Sequence, residues 1–324
     1  MGARGLLRQL ARRVRTERDF RVSRTGRADV AVFHEFHAPP YGGGNQFLLA
    51  LVGELERRGL AVETNRISAG TAACLYNSFN FDFDRLRRFV RADVRMVHRV
   101  DGPVGVYRGF DDGTDRRIAA INSLADVTIL QSEFSRAKHE ELGIALCNPI
   151  VVRNTVDPAI FYPPAEHRVT HERLRVVATS WSSNPRKGGD ILAWLDRNLD
   201  ASRFEVTFAG NTELEFENIR VFPPLPSHEL AELLRTQDVY LATSRDDPCS
   251  NAVLEGLACG LPAAFLRSGG HPELVGEGGV GFDDAEELPA VLTQLGGELA
   301  ARRARIRVPE LRDVADRYLE VLTA

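Results

Sequence analysis

The feature that most constrains the fold of this chain is a regular alternation of short, β-rich apolar runs with longer segments of helical periodicity. From Asp29 onward, "DVAVFHEF" has the composition of a strand, "NQFLLALVGELERRG" that of a helix ending at Gly59, and "AVETNRI" that of another strand. The alternation continues through "VRMVHRV", "TDRRIAAINSLA", "DVTILQS", "EFSRAKHEELG" and "NPIVVRN". This order predicts a parallel sheet covered by helices, which is a Rossmann-like domain.

A second unit of the same kind follows a linker. The segment "DPAIFYPPAEHRVTHERL" is rich in proline and polar residues, and strand and helix patterns alternate again from "RVVATSW" to "LPAAFLR". A chain of 324 residues also fits two domains of roughly 150 residues each better than one core. We predict a basic N-terminal segment over 1–27, a first domain over 28–163 and a second over 164–324, with the last helix packing back on the first domain.

Composition and charge exclude several classes of protein. The formal net charge is -4, so there is no global basicity that would indicate a nucleic-acid partner. The four cysteines are scattered without a paired spacing, which predicts neither a structural metal site nor a disulfide framework. No apolar run approaches the ~18 to 20 residues of a membrane span, and arginines interrupt the leucines of the N-terminal segment. We therefore expect a cytoplasmic protein.

Lysine is rare in this chain, and one lysine stands in a conspicuous loop. Lys187 and Lys138 are the only lysines among 41 strong cations. Lys187 lies between a predicted strand and a predicted helix N-terminus, where backbone N–H groups and the helix dipole favour an anion. Since ligands of open parallel sheets bind beyond the carboxyl ends of strands, two facing units would place such loops around a shared cleft. The alternative is a solvated surface lysine.

A second loop, "SRDDPCSNAVLEGLACGLP", places two acids around a strand-to-helix turn. Asp247 lies in the turn, Asn251 is positioned to cap the next helix, and Glu255 lies about one turn inside it. Carboxylates suit vicinal hydroxyls of sugars, and the backbone amides between them suit phosphate. The arrangement fits a nucleotide sugar. The alternative is an exposed acid together with an N-terminal helix acid favoured by the dipole.

Two glycine-rich loops and one histidine complete the candidates. "PPYGGGNQF" contains Gly43 and Gly44, and "SGGHPELVGEGG" offers Gly269 and Gly270 ahead of a predicted helix. Glycines allow close backbone approach to a ligand, although neither loop is a GxGxxG motif. His98 ends a strand in "VHRVDGP", and we expect its side chain to point into the cleft. A structural histidine is the alternative.

Taken together, "NPRKGG", "DDPCSNAVLEGLACGLP", "SGGHPELVGEGG" and the interdomain "NTVDPAIFYP" resemble the retaining glycosyltransferases of family four. The resemblance runs from about Asp29 to the C-terminus. It is weaker in the first domain, where "YGGGNQF", "HRVDGP" and "QSEFSRAKHEELG" carry it. It implies an α/β chain with the GT-B fold, in which two facing Rossmann-like domains enclose an interdomain cleft.

The resemblance also implies roles for individual residues. Asp247 and Glu255 match the acidic motif in which the first acid holds hydroxyls of the donor sugar and the second holds the ribose of the nucleotide. Lys187 matches the lysine that binds the donor diphosphate, and His98 matches a histidine near the reacting centre. The implied catalytic residues are thus Lys187, Asp247 and His98. The other implied donor-binding residues are Pro248, Cys249, Ser250, Asn251, Arg186, Gly269, Gly270, Gly43 and Gly44.

The chain departs from the family pattern at two positions. Trp181 stands six residues before Lys187, where an arginine often provides a second cation for the diphosphate. Arg186 and Arg99 are the candidates that could supply this charge from another direction. Asp247 occupies a position where glutamate is usual, which shortens the reach of the carboxylate by one methylene.

The resemblance implies a retaining, metal-independent transferase that moves a sugar from a nucleoside-diphosphate donor to a hydroxyl of an unknown acceptor, such as a polysaccharide, a glycolipid or a natural product. The nucleotide sugar is a co-substrate, and no cofactor is expected. The alternative is a catalytically degenerate relative that binds a nucleotide sugar or a partner enzyme. A dehydrogenase is disfavoured because GxGxxG is absent. A metal site at Asp82 and Asp84 competes with a helix start at the same residues.

The N-terminal segment has its own pattern. Residues 4–18 place leucines on one helical face and arginines around the rest, which is typical of a helix that lies on an anionic membrane. The pattern predicts peripheral contact with the inner face of the membrane. The alternative is a helix docked on the first domain.

Overall fold

The computed structural model describes residues 14–19, 25–39, 41–166 and 172–324. In these ranges, two six-stranded parallel sheets are present, with strand orders β2-β1-β3-β4-β5-β6 and β12-β11-β10-β7-β8-β9. In both orders the first strand of a domain lies inside its sheet. The next one or two strands are added on one side of it and the remaining strands on the other side. Loops at the carboxyl ends of strands therefore gather at one edge of each sheet.

The first sheet and its helices are built from residues 30–151. Its strands are β1 (Val30–Phe33), β2 (Val62–Thr64), β3 (Ala73–Asn77), β4 (Arg95–Val100), β5 (Val127–Leu130) and β6 (Pro149–Val151). The helices are α1 (Gly43–Arg57), α2 (Phe83–Phe89), α3 (Val104–Arg108), α4 (Thr114–Asn122) and α5 (Glu133–Glu141). Strands β1 and β3 are buried along their whole length, because helices cover both faces of a parallel sheet.

The second sheet repeats this plan. Its strands are β7 (Leu174–Ser180), β8 (Phe204–Gly210), β9 (Ile219–Phe222), β10 (Val239–Ala242), β11 (Ala263–Leu266) and β12 (Gly279–Phe282). The helices that follow β7 are α6 (Gly189–Asn198), α7 (Ser227–Arg235), α8 (Asn251–Ala258), α9 (His271–Val275), α10 (Leu288–Arg303) and α11 (Leu311–Thr323). Strands β10 and β11 are fully buried and apolar, which is the pattern of central parallel strands.

The C-terminal helix α11 packs on the first sheet although its residues follow the second domain in the chain. Val314, Tyr318 and Leu322 are buried in the same apolar core as residues of β1, α1 and β3. Tyr318 lies against Phe47 with ring centroids 5.8 Å apart. The chain thus crosses between the two sheets twice. The two crossing segments touch where the hydroxyl of Thr155 donates a hydrogen bond to the backbone carbonyl of Pro309.

The described part of the N-terminal segment docks on the first domain. Residues 14–19 are helical, and two of their acids pair with α2: Asp19 with Arg85 at 2.7 Å and Glu17 with Arg88 at 3.2 Å. Most of the amphipathic stretch predicted over residues 4–18 lies outside the described residues, so membrane contact stays a prediction. Among the helices of the described ranges, none combines the length and apolar character that crossing a bilayer requires.

Candidate active site between the two sheets

A cavity of about 390 Å³ lies between the carboxyl ends of the two sheets. Its first-domain wall is formed by the loops after β1, β3, β4 and β5, and its second-domain wall by the loops after β7 and β10. Lys187, Asp247, Gly43 and Gly44 line it, as do the residues from Pro248 to Asn251. The cavity thus gathers many of the donor-binding candidates named from the sequence.

Lys187 and Asp247 form an ion pair in this cavity. Nζ of Lys187 lies 2.7 Å from Oδ2 of Asp247, whose side chain is largely buried. Burial by itself raises the pKa of the Asp247 carboxyl, but the charge and hydrogen bond of Lys187 outweigh it and hold that pKa below its ordinary value. The Asp247 carboxyl is therefore ionised at neutral pH, and the Lys187 side chain lies in the cavity wall, where an anion can reach it.

The turn that carries Lys187 is shaped by a side-chain cap and a glycine. Residues Pro185–Lys187 form a short 3-10 helix, and Oδ1 of Asn184 accepts a hydrogen bond from the backbone N–H of Arg186 at 2.8 Å. Gly188 follows with a φ of 81°, and a Cβ there would lie 2.4 Å from the carbonyl oxygen of Thr243. Only glycine fits both conditions, so this residue sets the position of Lys187 against the loop after β10.

Gly269 and Gly270 support the turn that carries Asp247 from behind. The backbone N–H of Gly270 donates a hydrogen bond to the carbonyl of Asp247 at 2.8 Å. Gly269 has a φ of 64°, and a Cβ there would lie 2.4 Å from that same carbonyl oxygen. These two glycines face the backbone of Asp247 and Pro248 and are not among the residues that line the cavity, so their place in the donor pocket stays a prediction.

The start of helix α8 faces the cavity. Ser250 is its N-cap, and Oγ of Ser250 accepts a hydrogen bond from the N–H of Val253 at 3.4 Å. The N–H of Cys249 donates to Oδ1 of Asp247 at 3.3 Å. The first amides of α8 therefore add the positive end of a helix dipole to the charge of Lys187, which favours a bound anion.

Glu255 lies one turn further along α8 and faces a different space. It lines a smaller adjoining cavity of about 100 Å³, together with Trp181, Gly210 and Pro224. Burial raises the pKa of the Glu255 carboxyl to about 8, so the side chain is mostly protonated at neutral pH. Trp181 lines both cavities, which makes the two spaces neighbours along one wall.

His98 does not reach the cavity, and the expectation that it points into the cleft is wrong. Its side chain is completely buried and stacks on Tyr76 with ring centroids 4.2 Å apart. Nε2 lies 3.0 Å from the carbonyl of Ser78, and Nδ1 lies 3.0 Å from the amide nitrogen of Asn122. One neutral tautomer, protonated at Nε2, satisfies both contacts. Burial lowers the pKa of His98 to about 3, which keeps the ring neutral.

Neither arginine proposed as a second cation points into the cavity. Arg186 pairs with Asp246 and lines a separate space on the other side of the Lys187 turn. Arg99 is fully buried, lies 4.8 Å from the ring centroid of Phe47, and donates hydrogen bonds to Asn77 at 2.5 Å and Asn154 at 3.0 Å. The hypothesis that Arg99 or Arg186 supplies the missing charge is therefore not supported by their positions.

Several cavity residues were missed from the sequence. They share a place on the first-domain wall of the cavity, and include Phe79, Asp101, Tyr107, Arg108 and Gln131. Asp101 stands three residues after His98 in "HRVDGP". This motif therefore does contribute a side chain to the cavity, but the side chain is Asp101 and not the predicted His98. Trp181 is 41% exposed and lies 5.4 Å from Tyr41 between ring centroids, which creates an aromatic rim. Nothing in the sequence indicated that Arg108 lines the cavity, since it ends a short helix that contains no motif.

The two domains approach each other through glycines. A Cβ on Gly43 would lie 2.3 Å from the amide nitrogen of Asn251, and a Cβ on Gly102 would lie 2.8 Å from Cβ of Pro248. Backbone of the first domain is thus in direct contact with the loop that carries Asp247. A side chain at either position would separate the two walls of the cavity.

In the ranges that the structure describes, no group of three or more histidine, cysteine, aspartate or glutamate side chains is arranged to hold a metal ion. Asp82, one of the two acids weighed as a metal ligand, instead caps α2 by accepting a hydrogen bond from the N–H of Arg85 at 3.0 Å.

Comparison with known proteins finds partial sequence matches to glycosyltransferases. Residues 181–298 match the family model described as glycosyl transferases group 1. The D-inositol 3-phosphate glycosyltransferase of Streptosporangium roseum is 38% identical over 60 residues, or 18% of this chain, and that of Thermomonospora curvata is 35% identical over 117 residues, or 32% of this chain. These matches span 14% and 27% of the two relatives' own lengths.

Solved structures match over nearly the whole chain. The catalytic domain of Starch Synthase IV from Arabidopsis thaliana, bound to ADP and acarbose, has a TM-score of 0.69 at 10% identity and covers 92% of this chain and 99% of its own. HepE from Anabaena, in complex with UDP and glucose, has a TM-score of 0.67 at 15% identity, with 92% and 100% covered. The chain has the α/β GT-B fold with two Rossmann-like domains, as predicted. The match to the glycosyl transferases group 1 model falls in its second half, where the motifs that carry the family resemblance also lie.

Proposed function

We propose that this protein is a glycosyltransferase that moves a sugar from a nucleoside-diphosphate donor to a hydroxyl of an acceptor, with the donor bound in the cavity between the two sheets. The observation that carries the proposal is the Lys187–Asp247 ion pair, held at 2.7 Å beside the N-terminus of α8. Both residues lie within the matched glycosyl transferases group 1 domain. The similar structures of HepE, in complex with UDP and glucose, and of Starch Synthase IV, bound to ADP and acarbose, support a nucleotide donor.

The positions of the side chains suggest how a donor would bind. Lys187 and the first amides of α8 would face the diphosphate, and the Asp247 carboxylate would accept hydroxyls of the transferred sugar. Glu255 would meet the ribose in the adjoining cavity, where a carboxyl whose pKa is about 8 can either donate or accept a hydrogen bond. Asp247 would also hold the Lys187 side chain in position before the donor arrives.

Catalysis would come from stabilising the leaving group. As the bond between the anomeric carbon and the diphosphate breaks, negative charge grows on the leaving oxygens, and the Lys187 ammonium and the α8 amides are fixed to interact with that charge. As the resemblance implies, we propose retention of anomeric configuration without a metal ion, by same-face attack in which the leaving phosphate takes the acceptor proton. No side chain is assigned as a general base. The acceptor hydroxyl would enter from the first-domain wall.

The test is the replacement of Lys187 by alanine, with Lys138→Ala as the matched control. Lys138 is the other lysine of the chain and lies on α5, where it pairs with Glu141 at 2.7 Å and takes no part in the cavity wall. Release of nucleoside diphosphate from UDP-, GDP- and ADP-linked sugars should fall by about 10²- to 10³-fold in Lys187→Ala, since losing one such electrostatic partner costs about 3 kcal/mol. Lys138→Ala should turn over normally.

Three further outcomes separate the parts of the proposal. Near wild-type turnover in Lys187→Ala would refute the role of the lysine. Donor binding, seen as a raised melting temperature, without turnover in the wild type would favour the degenerate binding protein instead. Activity that persists with a chelator, and an unchanged anomeric configuration in the product by nuclear magnetic resonance, are the results expected for a metal-independent, retaining enzyme.

A further inference from the structure

The cavity is short of positive charge on its second-domain wall. A nucleoside diphosphate brings at least two negative charges, yet Lys187 is already paired with Asp247 at 2.7 Å, and Trp181 stands where a second cation would be expected. Among the described residues that line the cavity, the cations are Lys187 and Arg108, and the acids are Asp101 and Asp247. The formal charges of these side chains around the cavity therefore balance before any ligand enters.

Arg108 lies on the first domain but is tied to the turn that carries Lys187. It is the last residue of α3, and its carbonyl accepts a hydrogen bond from the side-chain amide of Asn184 at 3.3 Å. Asn184 in turn caps the short helix that ends with Lys187. The next residue, Gly109, has a φ of 82° and lets Cδ of Arg186 approach so closely that a Cβ would lie 2.8 Å from it. The end of α3 thus packs against the turn that carries Lys187.

The guanidinium of Arg108 is held loosely enough to change partners. It lies 5.1 Å from the ring centroid of Phe79, another cavity residue, and its NH1 is 3.3 Å from the carboxylate of Asp112. Both side chains of that pair are about one-third exposed, at 33% and 38%. Exposed pairs of this kind contribute little stability, so phosphate oxygens can displace Asp112 at small cost.

We propose that Arg108 is the second cation of the donor diphosphate, supplied by the first domain across the cleft from Lys187. This inference rests on the proposed function. A guanidinium can donate two parallel hydrogen bonds to phosphate oxygens, which a single ammonium cannot. Because the two cations lie on different domains, the diphosphate would bind fully only when the domains are together. Donor binding and domain closure would then be the same event.

The experiment compares Arg108→Gln with Arg116→Gln, an exposed arginine of α4 that is absent from the cavity wall. Calorimetry would measure binding of a nucleoside diphosphate and of the matching nucleoside monophosphate. Arg108→Gln should weaken the diphosphate by about tenfold or more while changing the monophosphate by less than about threefold, since charge-assisted contacts to the second phosphate are lost. Its kcat/KM for transfer should fall in parallel, with the acceptor KM unchanged. Arg108→Lys should restore part of the affinity, and Arg116→Gln should match the wild type.

The outcomes distinguish this inference from the proposed function. If Lys187→Ala loses diphosphate affinity and Arg108→Gln does not, the inference about Arg108 is overturned and the proposed function stands. If Arg108→Gln raises only the acceptor KM, Arg108 belongs to the acceptor and the inference is likewise overturned. If the wild type binds no nucleoside diphosphate, both fail. Circular dichroism and melting temperature verify that each variant is folded.

Discussion

At the scale of single residues, two carboxyl groups on neighbouring turns show how the surroundings decide chemistry. Asp247 and Glu255 are eight positions apart and both nearly buried, at 8% and 9% exposed. Asp247 has Lys187 at 2.7 Å, which outweighs the effect of burial and lowers its pKa, whereas Glu255 has burial alone and its pKa rises to about 8. The same functional group, a carboxyl, would therefore carry charge at one position and a proton at the other.

This difference predicts that the gap in unfolding free energy between Glu255→Gln and the wild type depends on pH. The folded-state pKa of about 8 lies above the ordinary 4.5, so the group's contribution to stability is complete below about pH 4.5 and is lost as pH rises towards 8. Glutamine resembles the protonated carboxyl and escapes that loss. Urea unfolding should show the variant gaining roughly 2 to 3 kcal/mol over the wild type between pH 6 and pH 8.

The control for this experiment is Glu298→Gln. Glu298 is on the surface, where a hydrogen bond from Arg302 lowers its pKa, so its amide variant should gain nothing as pH rises. A difference between Glu255→Gln and the wild type that stays constant from pH 6 to pH 8 would show that Glu255 is not protonated in the folded protein.

At the scale of elements, the loops after β7 and β10 are positioned by backbone conformations that a side chain would prevent. Gly188 combines a φ of 81° with an approach to Thr243 that leaves no room for a Cβ. The hydroxyl of Thr243 donates a hydrogen bond to the carbonyl of Lys187 at 2.7 Å, so the two loops hold each other. The Lys187 turn therefore depends on a glycine that makes no contact with the cavity itself.

Gly188→Ala should consequently lower both stability and turnover. Forcing alanine into the left-handed region costs roughly 1 to 2 kcal/mol, and displacing the Thr243 carbonyl adds to that cost. Gly297→Ala is the matched control, because Gly297 lies in helix α10 with open space around a Cβ, and alanine there should stabilise by up to about 1 kcal/mol. Thermal unfolding and donor turnover measure both effects. Equal melting temperatures for the two variants would contradict this account of the turn.

The same scale shows what the sequence could and could not predict. The alternation of apolar runs and amphipathic segments predicted both sheets. A parallel sheet that is covered by helices on both faces needs apolar strands and amphipathic helices in that order. Strand β3 was missed, since "ACLYN" is short and does not alternate between apolar and polar residues. Lys187 and Asp247 could be placed by their positions between strand and helix. The orientation of His98 could not, because it depends on the packing of Tyr76 and Asn122 from distant segments.

At the scale of the whole molecule, the two domains meet through glycine backbones, which makes their separation sensitive to one methyl group. Gly102 has an ordinary backbone conformation, so alanine is tolerated locally, but its Cβ would lie 2.8 Å from Cβ of Pro248 in the other domain. The substitution therefore acts on closure rather than on folding. Gly43 faces Asn251 in the same way.

Gly102→Ala should lower kcat/KM for transfer by about tenfold or more while shifting the melting temperature little, because a misplacement of about 1 Å at a reacting centre can cost two orders of magnitude in rate. Small-angle scattering should show a slightly larger radius of gyration in the presence of a nucleoside diphosphate. Gly53→Ala, within α1 and with open space around its Cβ, is the control. Turnover of Gly102→Ala equal to that of the control would mean that the contact with Pro248 is not needed for activity.

The return of α11 to the first sheet has a consequence for how the chain folds during synthesis. Helices normally join their sheet soon after their strands emerge, yet the first unit lacks a wall of its core until residues 311–323 have been synthesised. The second unit has all its strands and α10 by residue 303. The half whose strands come first in the chain thus needs the last described helix to close its core.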